Sequence, residues 1–549
     1  MQSEQHPEST SPSAKAPPFL AEGNLSTDSL ADEATALLSQ IQHIDSEPVV
    51  TFEIWRKEVK QIRKLAWPIS AGSLLQMSLG LTTVFSLGHL GTKELASGSL
   101  AFMFCNITGF SIGVGMSTAL DTLCSQAHTG SKDPHALGKH LQRGLVVMAG
   151  LFIPVAILWF FTDQILVLLG QEAELAHLAG QYAKWTTIGL YPQFIYECLR
   201  RYLQGQGIMQ ASFYVTLVAS PINMLLQWLL VWSPVGIGYI GSPIAGAITY
   251  CLLPIFTLAY IAFVDGKKAW GGWDWKEALD VSQIVEFIKL GAPGVAMVCS
   301  EWWAFEIITL ATGLLGDSYL AAQAVVLNTC SLMYMIPQGI SIAATTRIGN
   351  ALGANCKNRA RLDAWTALSI GLMIGCFNST ILFLIREKWG YLWNNDPEVV
   401  KLIAEILPLG AMFQISDGIG VIAGGILRGC GRQHIGAYIN LAGYYALGIP
   451  LSLLLAFRYN LELVGLWIGL TVGLFVVSII QILIISRTDW EEEARRARER
   501  VRSREYDEQA SSSHTSYGTA PQGSTGDVED HGVGSSHDPL LVVTIEESD

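Results

Sequence analysis

The stretch "CSEWWAFEII", residues 299–308, sets Glu301 and Glu306 inside a long apolar run, with "KLGAPGVAMV" before it and "TLATGLLG" after. A carboxylate at the centre of a bilayer costs about 3 kcal/mol on insertion scales. Residues five apart differ by about 140° around a helix, so the two glutamates cannot share a face. With Glu301 toward an internal cleft, Glu306 points at neighbouring helices or a side pocket. A third acid, Asp417 in "MFQISDGIGVIAGGI", is flanked by glycines that allow close backbone approach, which suits a cavity wall better than a lipid face. A carboxyl withdrawn from water can take up a proton, or a cation in its place, and release it again. The structural alternative is a protonated glutamate hydrogen-bonded within a helix bundle.

Aromatic residues stand beside these acids. Trp302 and Trp303 follow Glu301, and Tyr444 and Tyr445 lie in a later apolar run. Aromatic faces combined with a carboxylate are what an organic cation binds, although tryptophan and tyrosine also serve as packing and interface anchors. Two further acids read differently. Asp121 in "STALDTLCSQAHTG" sits near the end of its run, where plain hydrogen bonding is as good a reading. Glu197 in "YPQFIYECLRRYLQGQG" has Arg200 and Arg201 one turn on, and charge pairing is the favoured role.

The elements that would hold these residues are membrane helices. Of the 549 residues 50% are hydrophobic and only 15% charged, with a mean hydropathy of +0.36, against about 25% charged in a soluble protein. Twelve apolar runs are long enough to span, the first at 65–88 and the last at 463–486. The net charge of −13 belongs to the ends: about −7 over residues 1–58, about −8 over 487–549 and about +2 between. It therefore says nothing about an acidic or basic ligand. Both ends are poor in apolar residues and are expected to be disordered. No cleavable leader is read at the start, so the first span would direct insertion. The nine cysteines are scattered, with no zinc or disulfide spacing. Basic residues are about 14 to 5 in favour of the even-numbered connections, which with an even number of spans puts both ends in the cytoplasm. The run "RRARERVRSR" after the last span agrees, and a solvated juxtamembrane helix accounts for it.

The spans repeat. "LASGSLAFMFCNITGF", from Leu95, parallels "LAAQAVVLNTCSLMYM" from Leu320, and "LQGQGIMQASFYVTLVAS", from Leu203, parallels "LRGCGRQHIGAYINLAGY" from Leu427. The offsets are 225 and 224 residues. Six spans per copy keep each half in the same orientation. The expected fold is an all-α membrane protein of twelve transmembrane helices in two pseudo-symmetric six-helix lobes around a central cleft. Its expected parts are an acidic tail (1–58), an N-lobe (59–264), a connection (265–283), a C-lobe (284–486) and a second tail (487–549). Rocking of two such lobes around a midplane site is alternating access. No HExxH, Walker loop or clustered metal ligands are present, which argues against a membrane enzyme. A flippase for a lipid-linked or metabolite substrate is the rival transporter. It would line its cavity with arginine and lysine for phosphate, whereas the basic residues here are expected in loops.

"GHLGTKELASGSLA", "CSQAHTG", "EWWAFEI", "LAAQAVVLN", "YMIPQGISIAATTRIGNALGA" and "LRGCGRQHIGAYINLAGYYALGIPL" closely resemble the eukaryotic branch, fungal type, of the multidrug and toxic compound extrusion family, over roughly residues 55–486. The resemblance implies cation-driven efflux of small, mostly cationic organic compounds. The coupling ion would be the proton, with sodium the weaker candidate, and there would be no cofactor, no metal and no nucleic-acid partner. It carries the proton- and substrate-binding roles onto Glu301, Glu306 and Asp417, with Asn328, Gln323, Trp302, Tyr444 and Tyr445 as candidate lining. Two positions depart from the family pattern. Asn328 stands where animal members have a glutamate, and Thr83 where many bacterial members have an aspartate. The protein would act as a monomer in the bilayer. "EATALLSQ" has acidic-dileucine spacing (Glu33, Leu37, Leu38) for vacuole-type sorting, "DPLL" is a weaker match, and the plasma membrane is the other location.

Overall fold

The computed structural model describes residues 52–234, 236–393 and 396–502, and every regular element among them is helical. Twelve long helices follow one another: α1 (Phe52–Gly88), α2 (Thr92–Gly130), α3 (Ala136–Phe160), α4 (Ala173–Gly205), α5 (Gln210–Trp232), α6 (Gly238–Phe263), α7 (Val281–Gly313), α8 (Asp317–Gly353), α9 (Lys357–Leu392), α10 (Pro397–Cys430), α11 (Gln433–Arg458) and α12 (Glu462–Ser486). Ten of them are apolar enough to span a membrane by composition alone. The other two, α1 and α4, are 37 and 33 residues long and carry more charge, in the first turns of α1 and at both ends of α4.

The helices overrun the expected spans at the end where the basic connections lie, because apolarity follows lipid thickness and not helix length. The clearest case is α1, which begins at Phe52 inside the stretch expected to be a disordered tail. Its first turns are amphipathic: Trp55, Val59, Ile62, Ala66 and Ile69 recur at helical spacing, with Arg56, Lys57, Lys60, Arg63 and Lys64 between them. Ile62, Ala66 and Ile69 are buried against α8, α9 and α10. A second correction falls at the other end, where residues 490–502 form a further helix, α13. The dileucine motif, "DPLL" and the rest of both tails lie outside the described residues.

The buried residues form one main cluster in the first half, centred on α2, α3 and α4, one in the second half, and one that packs Ile62, Ala66 and Ile69 of α1 against α8, α9 and α10. Between the halves the chain runs from Phe263 to Val281 through a short helix, Trp275–Ala278, capped by the Asp274 carboxylate. This connection is pinned to α3. Gln142 donates to Gly272 O (2.6 Å) and accepts from Asp274 N (2.9 Å), and Arg143 pairs with Glu277 at 2.7 Å. All nine cysteines are free thiols.

At the basic end the halves meet along a seam of small residues and capped helix ends. A Cβ on Gly130 would lie 3.0 Å from Gly353 O, so the backbones of α2 and α8 approach as closely as glycine permits. Side chains of α2 donate to carbonyls in the last turns of α8 and α10. Thr122 donates to Arg428 O (2.6 Å), Gln126 to Gly429 O (3.0 Å) and Thr129 to Asn350 O (2.6 Å). Beside them, Glu58 of α1 is 1% exposed and accepts from Arg347, and from Arg359 at 3.1 Å, while Asp363 takes the same two arginines at 2.8 and 3.4 Å. Toward mid-bundle the contact thins to Cys299 Sγ on Ser111 Oγ (3.4 Å) and Trp303 Nε1 on Ile107 O (3.1 Å).

Candidate functional site

Above the seam lies a cavity of about 830 Å³, counting the space open to solvent, whose walls come from both halves. Five helices of the second half, all but α9, contribute residues one turn apart, so that one stripe of each faces inward. These are Met297 and Glu301 from α7, Tyr334 and Gln338 from α8, Asp417 and Val421 from α10, Asn440 and Tyr444 from α11, and Val477 and Gln481 from α12. In α11 the stripe is set by a π-helical segment, Ala442–Gly448. Tyr444 is 2% exposed and aims into the cavity, while Tyr445 does not line it. Asn440 fixes the polar floor here, donating to Met297 O (3.2 Å) and accepting from Gln481 (3.2 Å).

The expected acids divide. Glu301, Trp302, Asp417 and Tyr444 share the cavity. Glu306, on the other side of α7, does not line it, as its five-residue offset requires. Gln323 is fully buried and accepts from Trp467 Nε1 at 2.6 Å, tying α8 to α12. Asn328 donates to Ala324 O on its own helix. Gln323, Asn328 and Tyr445 line neither this cavity nor the second one described below.

The arginines overturn one sequence expectation. Arg200, Arg201 and Arg428 are cavity residues, not loop residues, because α4 and α10 continue past the hydrocarbon and carry their last turns beneath the cleft. Two acids of the first half occupy them. Arg201 Nη1 lies 2.5 Å from both Asp121 oxygens and its Nε donates to Ser117 Oγ at 2.7 Å. Arg200 pairs with Glu197 at 2.7 Å. Arg428 Nε reaches Asp121 at 3.6 Å and its Nη2 donates to Ser341 Oγ at 3.1 Å. Asp121 thus joins a guanidinium from each half. Among the described residues no arginine, lysine or histidine comes within ion-pair distance of Glu301, Glu306 or Asp417.

A second cavity, of about 540 Å³ counting the space open to solvent, lies in the first half between Gln76, Asn106, Gln193, Glu197 and Tyr250, and Trp302 closes one wall of it and of the first cavity alike. Thr83, on α1, accepts from Gln227 at 3.1 Å. Sequence reading missed Tyr334, Gln338, Asn440 and the arginines. The available signal was polar or aromatic residues spaced by four in otherwise apolar runs.

The MatE family profile matches residues 68–229 and again 293–454. The second match is displaced from the first by 225 residues, the same interval as the repeat read from the sequence. An uncharacterized transporter of Schizosaccharomyces pombe is 39% identical over 438 residues, 80% of each chain. Protein DETOXIFICATION 16 of Arabidopsis thaliana is 37% identical over 451 residues, covering 82% of this chain and 92% of that one. The crystal structure of the eukaryotic MATE transporter AtDTX14 superposes with a TM-score of 0.77 at 35% identity, covering 81% of this chain and 99% of that one. Repeat, fold and relatives agree: the chain belongs to the MatE family of membrane transporters and is not an enzyme.

Proposed function

We propose that the protein is a proton-coupled antiporter that exports small organic, mostly cationic compounds by alternating access. The observation that carries this reading is the pair Glu301 and Asp417 in one aromatic-walled cavity, neither held in an ion pair, while the cavity's arginines pair with Asp121 and Glu197. A buried carboxylate needs a counter-charge or a proton, and here a proton and an organic cation would supply it in turn. Trp302, Tyr334 and Tyr444 offer aromatic faces to the cation. Exclusive occupancy by one or the other is exchange. One pH unit supplies about 1.4 kcal/mol per proton, and each 100 mV adds about 2.3 kcal/mol if net charge moves. No resident cofactor is needed.

The two lobes of this reading are residues 59–264 and 284–486, joined by 265–283. The basic end faces the cytoplasm together with both tails, so the closed seam puts the cavity in its outward-accessible state. Working as a monomer, the protein would clear compounds across the plasma membrane or into an acidic vacuole-type lumen by the same chemistry. A carrier of lipid-linked phosphate would want free arginines. Those at this cavity are engaged by Asp121 and Glu197, which favours the cation reading.

The test is purified protein in liposomes under an imposed pH gradient, with a fluorescent organic cation as substrate. Wild type should accumulate the cation and Glu301→Gln should not, while eluting and melting like wild type. Thr83→Asp should not restore it. Accumulation driven by sodium, or undiminished in Glu301→Gln, would overturn the mechanism.

A further inference from the structure

The arginine-rich run after the last span has so far served only as a solvated helix. In the structure it is an amphipathic helix with a dry face. Asp489 caps α13, accepting from Glu491 N (3.0 Å) and Glu492 N (3.2 Å). Trp490, Ala494, Ala497 and Val501 recur at helical spacing and are all buried, the first three in the same cluster as Ala360, Ala364 and Ile485 of the second half. Arg495 and Arg496 pair with Glu492 on the outer face. Glu493 turns inward to Arg432 at 3.6 Å.

The end of this helix reaches the seam. Arg500 Nη1 donates to Gln126 Oε1 of α2 at 2.7 Å, and its Nη2 donates to Cys430 O of α10 at 3.0 Å. Gln126 is the residue whose amide nitrogen already holds Gly429 O. Gly431, with φ 72°, ends α10 without a side chain, and a Cβ there would stand 2.7 Å from Arg500 Nη1. The guanidinium therefore fills a notch between the halves, with one hand on each.

We propose that α13 is a strap across the seam: anchored on the second half, it holds the first half closed through Arg500, and it must let go of Gln126 each time the basic end opens. The inference rests on the alternating-access reading above. A charge-assisted hydrogen bond present only in the closed state biases the closed-to-open ratio by about tenfold, so Arg500 sets how long the cavity stays shut at this end.

The experiment is a distance measurement, independent of transport. Spin labels are attached through noncanonical amino acids at Lys132 of the first half and Asn358 of the second, in full-length protein in liposomes, and read by electron–electron double resonance. Arg500→Ala should raise the long-distance, open population about tenfold, and Arg500→Lys should restore most of the closed population. Lys357→Ala, which removes an exposed ion pair with Glu491, should leave the distribution near wild type. Gly353→Ala is the control, because a Cβ there would meet Gln126 O and wedge the seam directly. If Gly353→Ala opens the seam and Arg500→Ala does not, the strap is overturned and alternating access stands. If neither variant produces a longer distance, both readings fall.

Discussion

The two cavities hold the same kind of residue in opposite circumstances. In the first half Glu197 is 2% exposed and clasped by Arg200 at 2.7 Å, with Arg201 at 4.0 Å. In the second half Glu301 and Asp417 face a cavity of comparable character with no ion pair. A buried acid that owns a guanidinium is a fixed charge, since giving it up strands its partner. A buried acid without one is free to exchange counter-ions. Duplication supplied two similar halves, and the ion pair made by Glu197 has no counterpart at Glu301 or Asp417.

That contrast can be broken in three places. The largest effect should come from Arg200→Met, which leaves Glu197 with only the longer contact to Arg201 and should cost about 3 kcal/mol of stability, read as a lower thermal midpoint in detergent. The double variant Glu197→Gln with Arg200→Met should regain most of that loss, and if it does not, pairing is not what fixes Glu197. Next, Asp417→Asn should keep the thermal midpoint within a few degrees of wild type while proton-driven uptake drops at least tenfold, equivalent to about 1.4 kcal/mol. A matched fall in stability would place Asp417 with Glu197 and erase the distinction. The smallest effect should be that of Glu306→Gln, within about threefold of wild-type uptake. It carries a carboxyl on the same helix as Glu301 but off the cavity, so a loss as deep as that of Glu301→Gln would show that desolvation on α7 matters and facing the cavity does not.

Much of the fold was legible because membrane helices announce themselves by long apolar runs, and the repeat survives as an interval near 225 residues. What escaped was structure whose signal is periodicity in place of apolarity. Trp55 to Ile69 and Trp490 to Val501 both show one buried stripe among charges, a pattern invisible to a search for lipid-length runs. At the site, Glu301 and Asp417 were readable as costly carboxyls in apolar surroundings. Their separation from Glu306 was readable from helix angle. The arginines were not, because Arg201 and Arg428 sit near the boundary between span and loop, and only the overrun of α4 and α10 turns them toward the cavity. Gln323 misled for a related reason: a polar residue in a span signals either a cavity or a helix-to-helix bond, and its partner Trp467 is 144 residues away.

The Glu58 cluster has a consequence for the order in which the molecule is made. Glu58 and Arg347 are 289 residues apart in the chain. At 5–20 residues per second of synthesis, roughly 15–60 s separate the emergence of the first from that of the second. Throughout that interval α1 is already inserted, and its charged first turns have water as their partner. The closed end thus cannot form until α8 and the start of α9 have been made. The first half is built before it can be joined to the second, and the ion cluster that joins them waits on the second half's Arg347 and Asp363.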